Sequence, residues 1–140
     1  MGSQLKVDTI TGVTTAGSIA VTGEGNSTTT NLQQGLAKFW VHFNGTGTIA
    51  TQDSLNQSAL TDNGTGEYTS TFSNNMANDD YSTQVTGTES GSDGVSSQIG
   101  TLQRNGDYST SQVESNGYHA NNNADADNQR MMVNVLGDLA

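Results

Sequence analysis

The stretch Ala37-Lys38-Phe39-Trp40-Val41-His42-Phe43-Asn44 decides the fold of this 140-residue chain. Its odd-numbered positions from 37 to 43 are apolar, and they alternate with even positions that include Lys38 and His42. A period of two predicts a β-strand with one face turned to a core. Asn44-Gly45 follows and predicts a tight turn, because both residue types tolerate positive φ.

Further strands are predicted on both sides of this stretch. One contains Tyr68, Ser70 and Phe72 on a single face, and others cover 81–88 and 131–136. No window shows the apolar stripe of a helix, although 74–79 could form one short turn. Asn-Gly pairs predict further turns between the strands. They lie at Asn63-Gly64, Asn105-Gly106 and Asn116-Gly117.

These signals together predict an all-β protein, with an antiparallel β-sandwich of jelly-roll-like type over residues 36–140. Within it, Arg104-Asn105-Gly106-Asp107 predicts a two-residue hairpin turn that would place Thr101 opposite Thr110. The predicted core is built from large apolar side chains of three strands, one near each end of the domain and one that contains Tyr68. Its members are Phe39, Val41, Phe43, Tyr68, Phe72, Val133 and Val135.

The composition limits how large a core one chain can build. Leu, Ile, Val and Phe make up 24 of the 140 residues, which is below the level of about 20% where disorder becomes a serious alternative. The absence of proline and the abundance of threonine favour a β structure instead. We therefore expect an intertwined homotrimer whose copies share apolar surface.

Charge and residue usage exclude several functions. The net charge is −10 with only four Lys and Arg residues, which disfavours binding to nucleic acid or anionic lipid. No apolar run approaches the roughly 18 residues of a membrane span. The chain lacks cysteine, which excludes disulfides and thiol catalysis, and it opens without an apolar signal core.

Residues 1–35 differ from the rest because they contain no aromatic residue and are interrupted by glycines. Such a segment has little to bury by itself, so we predict an extended N-terminal segment that packs on sister chains or another protein. A floppy tail is the alternative. The candidate attachment residues are the apolar side chains Leu5, Val7, Ile10, Ile19 and Val21.

The evidence for metal or catalytic chemistry is weak. Asn123, Asp125 and Asp127 have the 1-3-5 spacing of a calcium loop, but the glycine and glutamate of that motif are missing. A solvated loop is the alternative for these weak metal candidates. Nothing in the sequence brings His42 and His119 together as a zinc pair. No cofactor and no enzymatic activity are predicted.

Three side chains are candidates for contact with a receptor. Trp40 and Tyr118 offer aromatic faces that suit neutral sugars, and His119 lies beside Tyr118 and the Asn-rich loop 120–128. Trp40 alternates away from the apolar face of its strand, so a subunit interface or a second-layer core is the other interpretation.

Three segments resemble tail-fibre-like virion proteins of marine tailed phages, such as the podoviruses of cyanobacteria. The leader Gln4-Leu5-Lys6-Val7-Asp8-Thr9-Ile10 is similar to the leader of that group. Residues 35–81, with FNGTGT and DNGTGEYTSTF, resemble its distal domain, and residues 133–138 resemble its terminal strand. The resemblance implies a trimeric, β-rich virion protein without enzymatic activity, assembled in the host cytoplasm.

Many members of the group carry this domain at the end of a much longer fibre, whereas here only residues 1–35 precede it. We therefore expect a short appendage. It would dock through its N-terminus to virion proteins of the tail or the capsid and expose its β domain toward the host surface. The alternatives are a capsid decoration or head-fibre protein with no receptor role, and a sugar-binding adhesin module.

Overall fold

Every regular element is a β-strand in the part of the chain that the structure describes. A computed structural model describes residues 4–12, 19–22, 29–88, 98–102 and 108–140. The chain divides into two compact units, Met1–Leu36 and Ala37–Ala140. The prediction of an all-β protein is confirmed for the described residues.

The first unit contains a short antiparallel hairpin. Strands β1 (Ala20–Thr22) and β2 (Thr29–Asn31) pair over three residues each. The side-chain oxygen of Asn31 then accepts hydrogen bonds from the backbone N–H groups of Gln33 (2.8 Å) and Gln34 (3.3 Å). This local bonding closes the turn after β2, as asparagine commonly does.

In its described residues, the second unit contains nine strands in two antiparallel sheets. The β3 sheet has the order β4-β3-β11-β7, and the β6 sheet has the order β10-β9-β6-β5 with β8 also paired to β9. The strands of the β3 sheet are β3 (Ala37–Asn44), β4 (Ala50–Leu55), β7 (Ser82–Thr88) and β11 (Arg130–Leu136). Those of the β6 sheet are β5 (Gln57–Gly64), β6 (Glu67–Phe72), β8 (Gln98–Leu102), β9 (Gln112–His119) and β10 (Ala124–Asp125).

The core lies where apolar side chains of the two sheets meet. The rings of Phe39 and Phe72 have centroids 4.8 Å apart, and those of Phe43 and Tyr68 are 5.0 Å apart with an edge-to-face angle of 71°. All seven predicted core residues are buried, so the predicted strand faces are confirmed. The arrangement is consistent with a β-sandwich. Burial extends the core to Met76, Tyr81, Val113 and Met131.

One edge of the two sheets is joined through a corner at Asn56, where the chain passes from β4 to β5. Asn56 has a positive φ of 62°. Its side-chain nitrogen donates to the backbone oxygens of Lys38 (3.1 Å) and Asn74 (2.9 Å), and its side-chain oxygen accepts from the backbone N–H of Asn74 (2.7 Å). A β4–β5 segment otherwise exposed to solvent is thus fixed to β3 and to the segment after β6.

The strands on either side of this corner are irregular. The β3–β4 pairing shifts register between His42 and Phe43, and the β5–β6 pairing shifts at Gln57/Ala59 and at Asp62/Gly64. Most β4 and β5 residues are exposed.

At the other edge, β7 and β8 approach each other so closely that only glycine fits. A Cβ placed on Gly100 would lie 2.5 Å from the backbone nitrogen of Gly87. The edge strand of the β3 sheet therefore contacts that of the β6 sheet through bare backbone.

Three of the predicted turns differ in the structure. Asn116-Gly117 lies inside β9. Glycine is needed at 117 for close approach, because a Cβ there would lie 2.3 Å from the backbone oxygen of Ala126. The β5–β6 turn is formed by residues 65–66 rather than by Asn63-Gly64. Residues 74–79 form bends and a bridge from Met76, not a helical turn.

The predicted hairpin around residue 105 extends beyond the described residues. Asn105-Gly106 lies outside the described residues, but Thr101 pairs with Asn116 in the β8–β9 ladder. The predicted pairing of Thr101 with Thr110 is therefore wrong. Thr110 instead offers its backbone oxygen to the N–H of Met76 at 2.8 Å.

Candidate functional site

The two aromatic receptor candidates lie on different sheets. Trp40 is half-buried between the buried Phe39 and Val41, so its side chain lies on the outer face of the β3 sheet, next to Leu55. Tyr118 lies on the outer face of the β6 sheet, because the preceding position, the buried Gly117, is on the face turned to the core. The structure does not bring these two aromatic side chains into one site.

Tyr118 is held by the β9–β10 hairpin. Its hydroxyl donates a hydrogen bond to the side-chain oxygen of Asn123, a turn residue with a φ of 56°. In register, Tyr118 pairs with Ile99 of β8 on one side and Asp125 of β10 on the other. His119 points to the opposite face, where its Nδ1 is buried without a hydrogen-bond partner among the described residues. The two neighbours thus do not form one contact surface.

The three weak metal candidates occupy three different settings. Asn123 bonds to Tyr118, and Asp125 lies exposed in β10. The Oδ1 atom of Asp127 accepts hydrogen bonds from the backbone N–H of Gly66 at 2.7 Å and from the hydroxyl of Tyr68 at 3.1 Å. Among the described residues, no group of three or more His, Asp or Glu side chains is placed to hold a metal ion.

The bonds of Asp127, itself an exposed residue, belong to a partly buried polar junction that sequence reasoning missed. Tyr68 is fully buried, and its hydroxyl also lies 2.9 Å from the backbone oxygen of Gly45. Burial, reinforced by the Asp127 carboxylate, raises the pKa of Tyr68 well above its ordinary value near 10. A Cβ on Gly45 would lie 2.4 Å from that hydroxyl. Gly45 is therefore needed for close approach, whereas the sequence suggested a need for positive φ.

Asn128 completes this junction from inside the core. It is fully buried, and its side-chain nitrogen donates to the backbone oxygen of Ile99 at 3.1 Å. Its backbone oxygen accepts from the N–H of Gly45 at 2.9 Å. The junction ties the end of β3 to β8 and to the loop before β11, so its role is structural. No sequence signal distinguishes Asn128 from the other asparagines of that loop.

An open cleft of about 330 Å³ lies on the outer face of the β6 sheet. Its walls combine an aromatic ring, aliphatic side chains, an amide, a hydroxyl and a carboxylate, a mixture that suits a small polyhydroxylated ligand. It is lined by Ile99, Thr101, Leu102, Asn116, Tyr118 and Asp125. Of the predicted receptor contacts, Tyr118 is the one that lines this cleft.

A second open cleft of about 340 Å³ lies at the end of the β3 sheet. Arg130 and His42 supply its basic groups, and three amide side chains complete it. His42 lies directly opposite Asp53 in the β3–β4 pairing. The amides are those of Asn44, Gln52 and Gln129.

The predicted attachment residues are largely exposed. The exposed fractions are 82% for Leu5, 54% for Val7, 57% for Ile10 and 51% for Val21. Ile19 is half-buried, and its backbone oxygen accepts a 2.8 Å hydrogen bond from the N–H of Leu32. Apolar side chains of this size are thus available for contact with a partner.

Among the described residues, no helix has the length and apolar character needed to cross a membrane. Comparison of the chain with family models, with curated proteins and with solved structures finds no match.

Proposed function

We propose that this chain is a virion structural protein of a tailed phage, a short tail-fibre-like appendage. Its N-terminal unit docks to the virion, and its β unit faces the host surface. The observation that carries this proposal is the exposure of Leu5, Val7, Ile10 and Val21 in a unit that buries few of its own side chains. The resemblance of residues 4–10 to phage fibre leaders supports the same orientation.

The physical argument rests on apolar area. Burying one Val, Leu or Ile side chain stabilises a contact by about 1.5–3 kcal/mol. Four such side chains in one short segment therefore provide enough apolar surface for a stable docking contact. The second unit, by contrast, has its own core around Phe39, Phe43 and Tyr68, so it does not need the attachment contact in order to stay folded.

We also propose that three copies assemble, as an intertwined homotrimer of jelly-roll-like sandwiches. The outer face of the β3 sheet supports this, because Leu55 lies directly across from Trp40 and Met132 lies across from His42, two residues further along β3. The exposed fractions are 45% for Leu55 and 38% for Met132. Such a patch is typical of an interface. The eight longer strands, four in each sheet with chain crossings between sheets, support the jelly-roll-like type.

This role is structural rather than enzymatic, with assembly in the host cytoplasm and residence in the virion. The absence of cysteine fits folding in a reducing compartment. The partners are other copies, virion proteins of the tail or capsid, and a host glycan.

The experiment is complementation of a deletion phage with a chain lacking residues 1–34. We expect the truncated protein to be soluble and folded but missing from purified particles. A point variant, Leu5→Ser combined with Ile10→Ser, should show the same loss, whereas Thr9→Ser serves as the control in the same segment. Full occupancy by the truncated chain would show that the β unit docks and would refute the proposed orientation.

Two further measurements complete the test. Native mass spectrometry should give three times the chain mass of 14.6 kDa, and a stable folded monomer at micromolar concentration would refute the trimer. Immunogold labelling of particles distinguishes tail from capsid, and label on the capsid would favour a decoration protein over a fibre.

A further inference from the structure

The cleft beside Tyr118 has the features of a ligand site. We propose that it binds one residue of a neutral saccharide, stacked on Tyr118 and hydrogen-bonded by Asp125 and Asn116. The volume of about 330 Å³ lies at the small end of the range of about 300–1,000 Å³ typical of ligand sites. A single sugar ring is a ligand of suitable size.

The first independent observation is an unpartnered amide. Asn116 is only 7% exposed, lines the cleft, and has a buried side-chain oxygen that finds no hydrogen-bond partner among the described residues. Buried polar atoms are nearly always bonded, so such an atom calls for an explanation. Rotation of the amide about its last bond presents either its oxygen or its nitrogen to a ligand. A sugar hydroxyl, which both donates and accepts, satisfies either orientation.

The second observation is that the aromatic wall is fixed in place. The hydrogen bond from the Tyr118 hydroxyl to Asn123, which lies in the turn between β9 and β10, restrains the ring. A ring that is already ordered loses little conformational entropy when a ligand stacks on it. Ile99, 45% exposed in the neighbouring strand, extends the apolar wall.

Charge decides which saccharides fit. The outer face of the β6 sheet carries the carboxylates of Glu67, Glu114 and Asp125, and no Lys or Arg among the described residues lies in that sheet. Glu67 pairs directly with Asn116 in the β6–β9 ladder. An anionic sugar would be repelled here, whereas a carboxylate accepts hydrogen bonds from neutral hydroxyls strongly.

The biological meaning of this inference rests on the proposed function, because an outward-facing β unit of a phage would meet neutral sugars on its host. The binding itself does not depend on that role. Purified protein that binds sugars but never enters particles would refute the proposed function alone.

The test uses the full-length protein and isothermal titration calorimetry. The probes are the methyl glycosides of glucose, galactose, mannose and N-acetylglucosamine, with N-acetylneuraminic acid as the anionic comparator. A glycan array then extends the survey. We expect at least one neutral probe to bind, and Tyr118→Ala to weaken that binding about tenfold or more.

Matched variants separate the cleft from general effects on the fold. Tyr118→Phe keeps the ring but loses the hydrogen bond to Asn123 that restrains it, so its binding should be weaker than that of the parent and stronger than that of Tyr118→Ala. Asp125→Asn should also weaken binding. Glu114→Gln removes a carboxylate from the same face but outside the cleft, so it should leave binding unchanged. Three results would each overturn the proposal: no neutral probe binding at millimolar concentration, binding of the anionic probe alone, or sugar binding lost in Trp40→Ala and kept in Tyr118→Ala.

Discussion

Replacement of Asn56 should destabilise the β unit more than the position of this half-buried residue between the two largely exposed strands β4 and β5 suggests. Two effects add in Asn56→Ala. The first is backbone strain, because alanine at a φ of 62° costs about 1–2 kcal/mol relative to the right-handed region, and asparagine tolerates this region better. The second is the loss of the side-chain hydrogen bonds to Lys38 and Asn74.

The size of the hydrogen-bond effect depends on whether the former partners of Asn56 can bond to water after the substitution. Each bond contributes about 0.5–1.5 kcal/mol net, and the exposed Asn74 groups regain water after the substitution. The backbone oxygen of Lys38 is part-buried, so its loss is only partly offset. We therefore expect Asn56→Ala to lower the free energy of unfolding by about 2–4 kcal/mol, combining the strain and the lost bonds.

The assay is urea unfolding of the full chain at one fixed protein concentration, because the proposed assembly of copies would make stability depend on concentration. Asn56→Gly removes the same hydrogen bonds but relieves the strain, so it should be less destabilised than Asn56→Ala. Asn75→Ala, an exposed asparagine beside Asn74, is the matched control and should stay within about 0.5 kcal/mol of the parent. An Asn56→Ala variant as stable as this control would contradict the reasoning.

Three further predictions concern the core and the polar junction. Phe43→Ala removes a fully buried ring from contact with Tyr68 and should cost about 3–5 kcal/mol in urea unfolding; an unchanged midpoint would show that the strand faces are misassigned. Because the pKa of Tyr68 is raised in the folded state, stability should hold below about pH 10 and fall as pH rises beyond it. Tyr68→Phe should be less stable at neutral pH yet lose less between pH 8 and pH 11 in thermal unfolding, and an alkaline loss equal to that of the parent would refute this. Gly87→Ala places a Cβ 2.0 Å from the side-chain nitrogen of the buried Asn128 and should cost about 1–3 kcal/mol, whereas Gly35→Ala, with only ordinary contacts, should leave the melting temperature unchanged.

The strands that decide the core were predictable because their alternation is strong and local. The core residues predicted on β3 and β11 are buried, since a period of two places them on one face whatever the partner strand is. They are Phe39, Val41, Phe43, Val133 and Val135. Register was not predictable in the same way. Thr101 pairs with Asn116 rather than Thr110 because ladder alignment depends on contacts distant in sequence.

An Asn-Gly pair does not always predict a turn correctly, as Gly117 shows. Asn-Gly reads as a turn because of its freedom at positive φ, yet Gly117 sits in a strand, where it makes room for the backbone of Ala126. A close approach between segments distant in sequence leaves no local signature. The same holds for the candidate site. Tyr118 was identifiable as an aromatic near a polar loop, but Asn116, Thr101 and Ile99 join it only through the β8–β9 pairing.

The register shifts along β4 and β5 have a consequence for behaviour at high concentration. Both strands are exposed, and an exposed flat strand is a template on which another chain can add its own strand and start a fibril. The shifts beside Phe43, Ala59 and Gly64 interrupt the regular spacing of backbone donors and acceptors that such addition needs. Asp53 and Asp62 place like charges on the two strands, so identical copies repel each other there. These features would keep neighbouring copies from fusing edge to edge wherever many copies are crowded together.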